Sequence, residues 1–236
     1  MNKVSQNREK KILDAVKNID SATHLRGESV YLDDIPVLEG TLYAAVVDSP
    51  LAHGKIIKLD TKAAAAMPGV VRIFTAQDIP GENQIGGIIP DEELLANDHV
   101  HFCGMPVALV IAETEAAARA AVREVKIDTS PLPVITDPRE AKEKNELIIP
   151  PRVFNLGEID SAWAQCDHIV EGRSDTNGQE HLYIETQGAY SMPLENGGIK
   201  IYSSTQGPTA VQRTVARVLN IPMHAVEVDT ARLGGG

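Results

Sequence analysis

The residues with the clearest chemical potential lie in the last sixty positions. Arg232-Leu233-Gly234-Gly235-Gly236 closes the sequence. Three consecutive glycines favour neither strand nor helix. They are useful where backbone amides must approach something bulky or anionic without side chains in the way. Upstream stand Gln179-Glu180-His181, polar residues at what should be a buried domain entrance, which reads as a structural hydrogen-bond network. Between them lies Ser203-Ser204-Thr205-Gln206-Gly207, in which Gln206 on its own is an ordinary polar residue at a strand end. His99 and His101 are spaced to share one strand face, but a metal pair there would need ligands the neighbourhood does not offer. Cys103 and Cys166 form no C-x-x-C, so neither a zinc nor an iron–sulfur motif is present, and they read as two reduced, partly buried thiols. No G-x-G-x-x-G follows a strand, so a dinucleotide-binding reading fails.

Composition narrows the classes. With 43% hydrophobic and 23% charged residues, the 236-residue chain is globular and long enough for one large or two ordinary domains. A net charge of -11 argues against a nucleic-acid or anionic-membrane surface. No apolar run reaches the length of a membrane span and no signal peptide is evident, so a cytoplasmic location is expected.

The elements that must position these residues alternate between strands and short helices, which indicates an α/β or α+β fold. Residues 1–20 could form an amphipathic helix through Ile12, Leu13, Val16 and Ile19, or a mobile tail. Strands are expected at 42–47 and 55–59. Asp60-Thr61 then caps a helix over 62–67 that Pro68-Gly69 ends. Strands at 70–75 and 106–112 follow, with a loop over 81–96 between them. Thr114 caps a helix over 115–124, and 125–128 is extended again. Residues 137–151 read as a linker, Asp160 caps a helix over 161–165, and an extended segment covers 168–172.

Several motifs in order carry a family resemblance. They are Gly27-Glu28-Ser29-Val30-Tyr31-Leu32-Asp33-Asp34-Ile35-Pro36, Ser49-Pro50-Leu51-Ala52-His53-Gly54-Lys55-Ile56, Met67-Pro68-Gly69-Val70, Thr75-Ala76-Gln77-Asp78-Ile79-Pro80 and Gly104-Met105-Pro106-Val107-Ala108. With Gly178-Gln179-Glu180-His181 and Ser204-Thr205-Gln206, they make the chain resemble the N-terminal part of the molybdenum-binding subunit of the xanthine dehydrogenase/aldehyde oxidase family. The resemblance implies an N-terminal tail over 1–22 and an a/b hammerhead domain over 23–132. A linker over 133–172 and the incomplete start of a molybdenum-cofactor-binding α+β domain over 173–236 would follow.

By the same resemblance, the parent protein hydroxylates xanthine or hypoxanthine with oxygen from water, and electrons pass through 2Fe-2S clusters to FAD and NAD. Gln206 matches the glutamine beside a molybdenum oxo ligand, where a neutral amide donates a hydrogen bond without adding charge. Gly234, Gly235 and Gly236 match the run whose amides line the pterin. No residue here is a direct metal ligand, and the family's general base corresponds to a position beyond residue 236. The implied partners are an iron–sulfur subunit, an FAD subunit and a second copy of the parent complex. The chain alone is expected to hold no cofactor, to lack activity, and to be least secure after residue 175. Other readings are an aldehyde oxidoreductase, a carbon monoxide dehydrogenase-type large subunit, or a non-catalytic module that docks a partner.

Overall fold

The computed structural model describes residues 18–235, so most of the expected N-terminal helix or tail, and Gly236, lie outside the described residues. The chain divides into two compact units. One comprises Met1–Thr41, Pro80–Glu82 and Tyr183–Gly236, and the other Leu42–Ile79 and Asn83–Leu182. The first unit opens with α1 (Ser21–Arg26), which ends at Gly27 in the left-handed conformation glycine tolerates.

The second unit holds two three-stranded antiparallel sheets. Strands β1 (Tyr43–Asp48) and β2 (Gly54–Asp60) precede helix α2 (Lys62–Ala65) and strand β3 (Val70–Thr75). After β4 (His99–Val100) come β5 (Pro106–Ala112), α3 (Glu115–Val122) and β6 (Lys126–Pro131). One sheet has the order β1-β5-β3 and the other β4-β2-β6. The continuous apolar run of β5 makes it the central strand, with both faces used. Ala108 and Val110 join Val47, Ala64 and Ala121 in one buried cluster, while Val107 joins Ala96, Val100 and Met105 in another. Alanine lets α2 and α3 lie close: Ala64, Ala118 and Ala121 are fully buried.

Turn chemistry sets the ends of these elements. Thr114 Oγ1 accepts the Ala117 N–H at 3.1 Å, the expected cap of α3. At α2 the side-chain cap falls on Asp60, whose Oδ1 accepts the Lys62 N–H at 3.2 Å, because Thr61 makes no capping bond. That amide, with Lys58, holds the Asp60 carboxyl below its ordinary range. Gly69, at φ +79°, turns the chain from α2 into β3.

Three sequence expectations change. The linker contains a helix, α4 (Pro138–Glu143), capped by Asp137 and opened by Pro138 at its first position. Helix α5 (Ile159–Ala164) starts at Glu158 without a side-chain cap, since Asp160 lies inside it. Residues 168–172 pair with no strand. Every residue from 142 to 182 is exposed, and so are both cysteines, which corrects the partly buried reading.

The first unit continues with β7 (Ala189–Pro193), β8 (Ile199–Ser203), α6 (Pro208–Leu219) and β9 (Val226–Asp229), in the sheet order β7-β8-β9. Strand β7 is antiparallel to β8, whereas β8 and β9 are parallel and joined over α6. Ile201, Ala216 and Val226 are buried between helix and sheet, with Ile199, Val215, Ile221 and Val228 packed around them. The expected insecurity after residue 175 therefore splits in two. Leu182 and Ile184 are exposed, while Ile199 and Val215 find a core within this segment.

At the end of β3, Asp78 accepts the Thr75 N–H and Oγ1–H at 2.8 and 2.9 Å and pairs with Arg72 at 3.2 Å. The Thr75 amide, then its hydroxyl, hold the Asp78 carboxyl below its ordinary 3.8. Because the folded value is the lower one, this contribution is present above pH 3.8 and lost as pH falls through the folded value. Asp78→Ala is expected to cost about 1 kcal/mol at neutral pH. In urea melts across pH, its gap to the parent chain should close below about pH 4; a gap independent of pH would contradict this account.

Candidate functional site at the carboxyl edge of the parallel strands

Parallel neighbours end on the same side of a sheet. In register, Ile199 faces Val226 and Tyr202 faces Asp229, so the chain leaves β8 and β9 at one common edge. Ser204-Thr205-Gln206-Gly207 follows β8, and Thr230–Gly235 follows β9. Ligands in open sheets with parallel strands bind beyond such carboxyl ends. The topology thus brings Gln206 and the glycine run, far apart in sequence, to one edge. Helix α6 also begins there, at Pro208.

A strap over 183–188, running into β7, ties the two loops. The Ser204 hydroxyl accepts the Gly188 N–H at 2.8 Å and lies 3.2 Å from the Thr186 carbonyl, while the Ser204 N–H donates to the Gly188 carbonyl at 3.1 Å. Five residues earlier than Tyr190, Glu185 reaches the other loop: Oε2 accepts the Gly234 N–H at 2.5 Å and Oε1 accepts the Leu32 N–H at 3.2 Å. Arg232 anchors the same loop, donating to Asp20 Oδ1 at 2.9 Å and the Val30 carbonyl at 3.4 Å.

The glycines are required by contacts inside the chain. A Cβ at Gly235 would lie 2.2 Å from Tyr183 Cγ, and one at Gly234 would lie 2.5 Å from Glu185 Cβ. The amide of Gly234 is committed to Glu185, so its part in lining a ligand is not that of an open donor. Gly236 lies outside the described residues. Gln206 is exposed and makes no hydrogen bond among the described residues, so its amide can still bond a ligand. Thr205 Oγ1 shapes the same turn by accepting the Gly207 N–H at 3.1 Å.

Other chemically suggestive groups lie elsewhere. Lys200 bonds Glu227 at 2.8 Å, lies 3.5 Å from Asp229 and sits over the Tyr202 ring at 5.0 Å. Glu227 first, then Tyr202, push its pKa above the ordinary lysine range, which keeps it a cation and unsuited to act as a nucleophile. A cleft of about 510 Å³, lined by Gly81, Glu82, Asn220 and Met223, lies at the far end of α6 from Gln206. In the second unit His101 stacks with His99 and His53 at 6.3 and 6.4 Å, yet among the described residues no group of three His, Cys, Asp or Glu could hold a metal. Sequence reasoning gave Tyr183 and Glu185 no role. Their contact with the glycine run joins positions nearly fifty residues apart, and no local spacing signals it.

Residues 26–133 match the model of the aldehyde oxidase and xanthine dehydrogenase a/b hammerhead domain, and residues 140–236 match the molybdopterin cofactor-binding domain. The chain belongs to the aldehyde oxidase and xanthine dehydrogenase family. It is similar to aldehyde oxidase 2 of Cavia porcellus, 37% identical over 224 residues, or 94% of this chain and 16% of that protein. It is similar to xanthine dehydrogenase of Calliphora vicina, 38% identical over 214 residues, or 89% of this chain and 16% of that protein. Among solved structures it resembles the aldehyde oxidoreductase of Desulfovibrio gigas at TM-score 0.80 and 27% identity, over 92% of this chain and 26% of that one. The chain thus spans about a sixth of the length of these curated relatives. The α/β hammerhead followed by the start of a molybdenum-cofactor domain is the fold class the sequence indicated.

The site's donors fit such a cofactor: a neutral, unengaged amide at Gln206 and a side-chain-free backbone at Gly234 and Gly235 share the edge. Gly235→Ala is expected to displace the Tyr183 ring, since its Cβ would fall well inside contact distance. The ring resonances of Tyr183 should shift, while amide exchange in β5 stays unchanged. Adding Tyr183→Ala in the same chain removes the ring contacts at 2.2 and 2.3 Å but keeps the Tyr183 Cβ contact at 2.5 Å, so it should relieve the clash only in part. An unshifted Tyr183 ring in Gly235→Ala would contradict the close packing.

Proposed function

We propose that this chain forms part of a molybdenum hydroxylase that oxidises xanthine or hypoxanthine, drawing the new oxygen from water. The observation that carries the proposal is the shared carboxyl edge, to which the parallel strands β8 and β9 deliver an exposed glutamine amide and a glycine-rich backbone. In this reading the hammerhead occupies 23–132 behind a tail over 1–22, a linker covers 133–172, and the cofactor-binding domain begins at about 173. Iron–sulfur and FAD centres on partner subunits or domains accept the electrons, and the parent complex pairs with a second copy in the cytoplasm. No helix among the described residues is long and apolar enough to cross a membrane.

When bound, the molybdenum–pterin group would supply the two-electron acceptor and a Lewis-acid metal that activates water for hydroxylation. The work of this chain is positioning. Gln206 would offer the cofactor an amide hydrogen-bond donor that adds no charge to an anionic centre. Gly234, Gly235 and Gly236 would let the backbone approach the pterin, and Tyr183 packs closely against Gly235.

An aldehyde substrate is the second reading, favoured by relatives named aldehyde oxidase at 37% identity. Comparing kcat/KM for xanthine and for an aromatic aldehyde, in the longer protein containing this chain, decides between them. In that protein Gln206→Ala is expected to fold normally and to lower turnover by roughly ten- to a hundredfold, the loss typical of an oriented group beside a metal ligand. Equal rates at equal molybdenum content would overturn the role of Gln206.

A further inference from the structure

We infer that Glu185 is a positioning residue for the cofactor, setting the glycine run through the amide of Gly234; this rests on the function proposed above. Three observations converge. The carboxylate divides its oxygens between two backbone donors, Gly234 at 2.5 Å and Leu32 at 3.2 Å, so it bridges the run to an N-terminal segment of the same unit. Glu185 is half-buried, and both bonds are charge-assisted, which makes them stronger and more directional than neutral ones. The run has almost no freedom to slide past this contact. A Cβ at Gly234 would lie 2.9 Å from Glu185 Oε2 and 3.3 Å from Tyr31 Cε1, and Arg232 fixes the preceding turn through Asp20.

The arrangement solves a specific problem. Glycines admit a bulky ligand but leave the backbone floppy, and an ordering cost would then fall on ligand binding. A carboxylate that captures one amide of the run removes much of that freedom before the ligand arrives. It does so where Tyr31 and Tyr183 also pack against the run. The same strap holds the Gln206 loop through Ser204, so Glu185 also fixes the spacing between the two halves of the site. Replacing the carboxylate by an amide leaves one acceptor for two donors and places an NH2 group against a backbone N–H.

The test has two arms. In the 236-residue chain, hydrogen exchange at Gly234 is compared between the parent and Glu185→Gln. Exchange is expected to rise about tenfold or more, the loss of a charge-assisted bond, while amides of β7, β8 and β9 keep their protection. In the longer protein, loss of pterin to a filtrate is followed for Glu185→Gln, Gly234→Ala and the double variant. Pterin should leave at least several-fold faster in each single variant, and the double variant should lose it no faster than the worse single one. Unchanged exchange at Gly234 would overturn the clasp. Faster exchange with unchanged pterin retention would overturn the positioning role, and additive losses would show that Glu185 does not act through Gly234. A parent protein without pterin would overturn the proposed function and this role with it, while the exchange arm would still report on the clasp alone.

Discussion

The pairing of β8 and β9 as parallel neighbours is the constraint on which the site depends. Parallel neighbours need a crossover, here α6, and they deliver the chain to a common edge at their carboxyl ends. Had the two strands been antiparallel, Gln206 and Gly234 would leave the sheet at opposite ends. The crossover is held by a small apolar cluster of Ile201, Ala216 and Val226, where alanine on the helix lets it lie close to the strands. Packing, pairing and function are therefore joined in one βαβ unit of about thirty residues.

Above that edge, polar contacts do what the core cannot. A hydrophobic cluster fixes strands, but loops with small residues keep their conformational freedom unless a directed bond removes it. Ser204 supplies such bonds on one loop, and Glu185 with Arg232 supplies them on the other. The same pattern is visible in the second unit, where Asp78 closes the turn after β3 by accepting both the N–H and the hydroxyl of Thr75. In both places a short acidic side chain captures backbone donors that secondary structure leaves unpaired.

Much of this was legible in the residues. The central position of β5 follows from its unbroken apolar run, and the close helices follow from the alanines at 63–66 and 116–118. Local chemistry marked Thr114 as a cap, and the glycine run as a place of close approach. What the residues did not disclose was which partner approaches. The run seemed designed for amides facing a ligand, whereas Gly234 spends its amide on Glu185 and Gly235 makes room for Tyr183. Such contacts bring together residues nearly fifty positions apart, and pattern periodicity carries no information at that range. Helix α4 is hidden in the sequence for a different reason. Its alternating charges suggested a linker, although Asp137-Pro138 is a helix start by capping chemistry alone.

The central claim is that Gln206 and the glycine run share one edge, with the end of α6 at the other. Paramagnetic broadening tests it directly, using a nitroxide on Gln206→Cys with Cys103 and Cys166 replaced by serine. The 12 residues of α6 span about 18 Å, enough to separate the two edges in a signal that falls with the sixth power of distance. Strong broadening at the amides of Gly234 and Gly235, with little at Asn220 and Ile221, is the expected result. Broadening that is equal at both ends, or stronger at Asn220, would contradict the account.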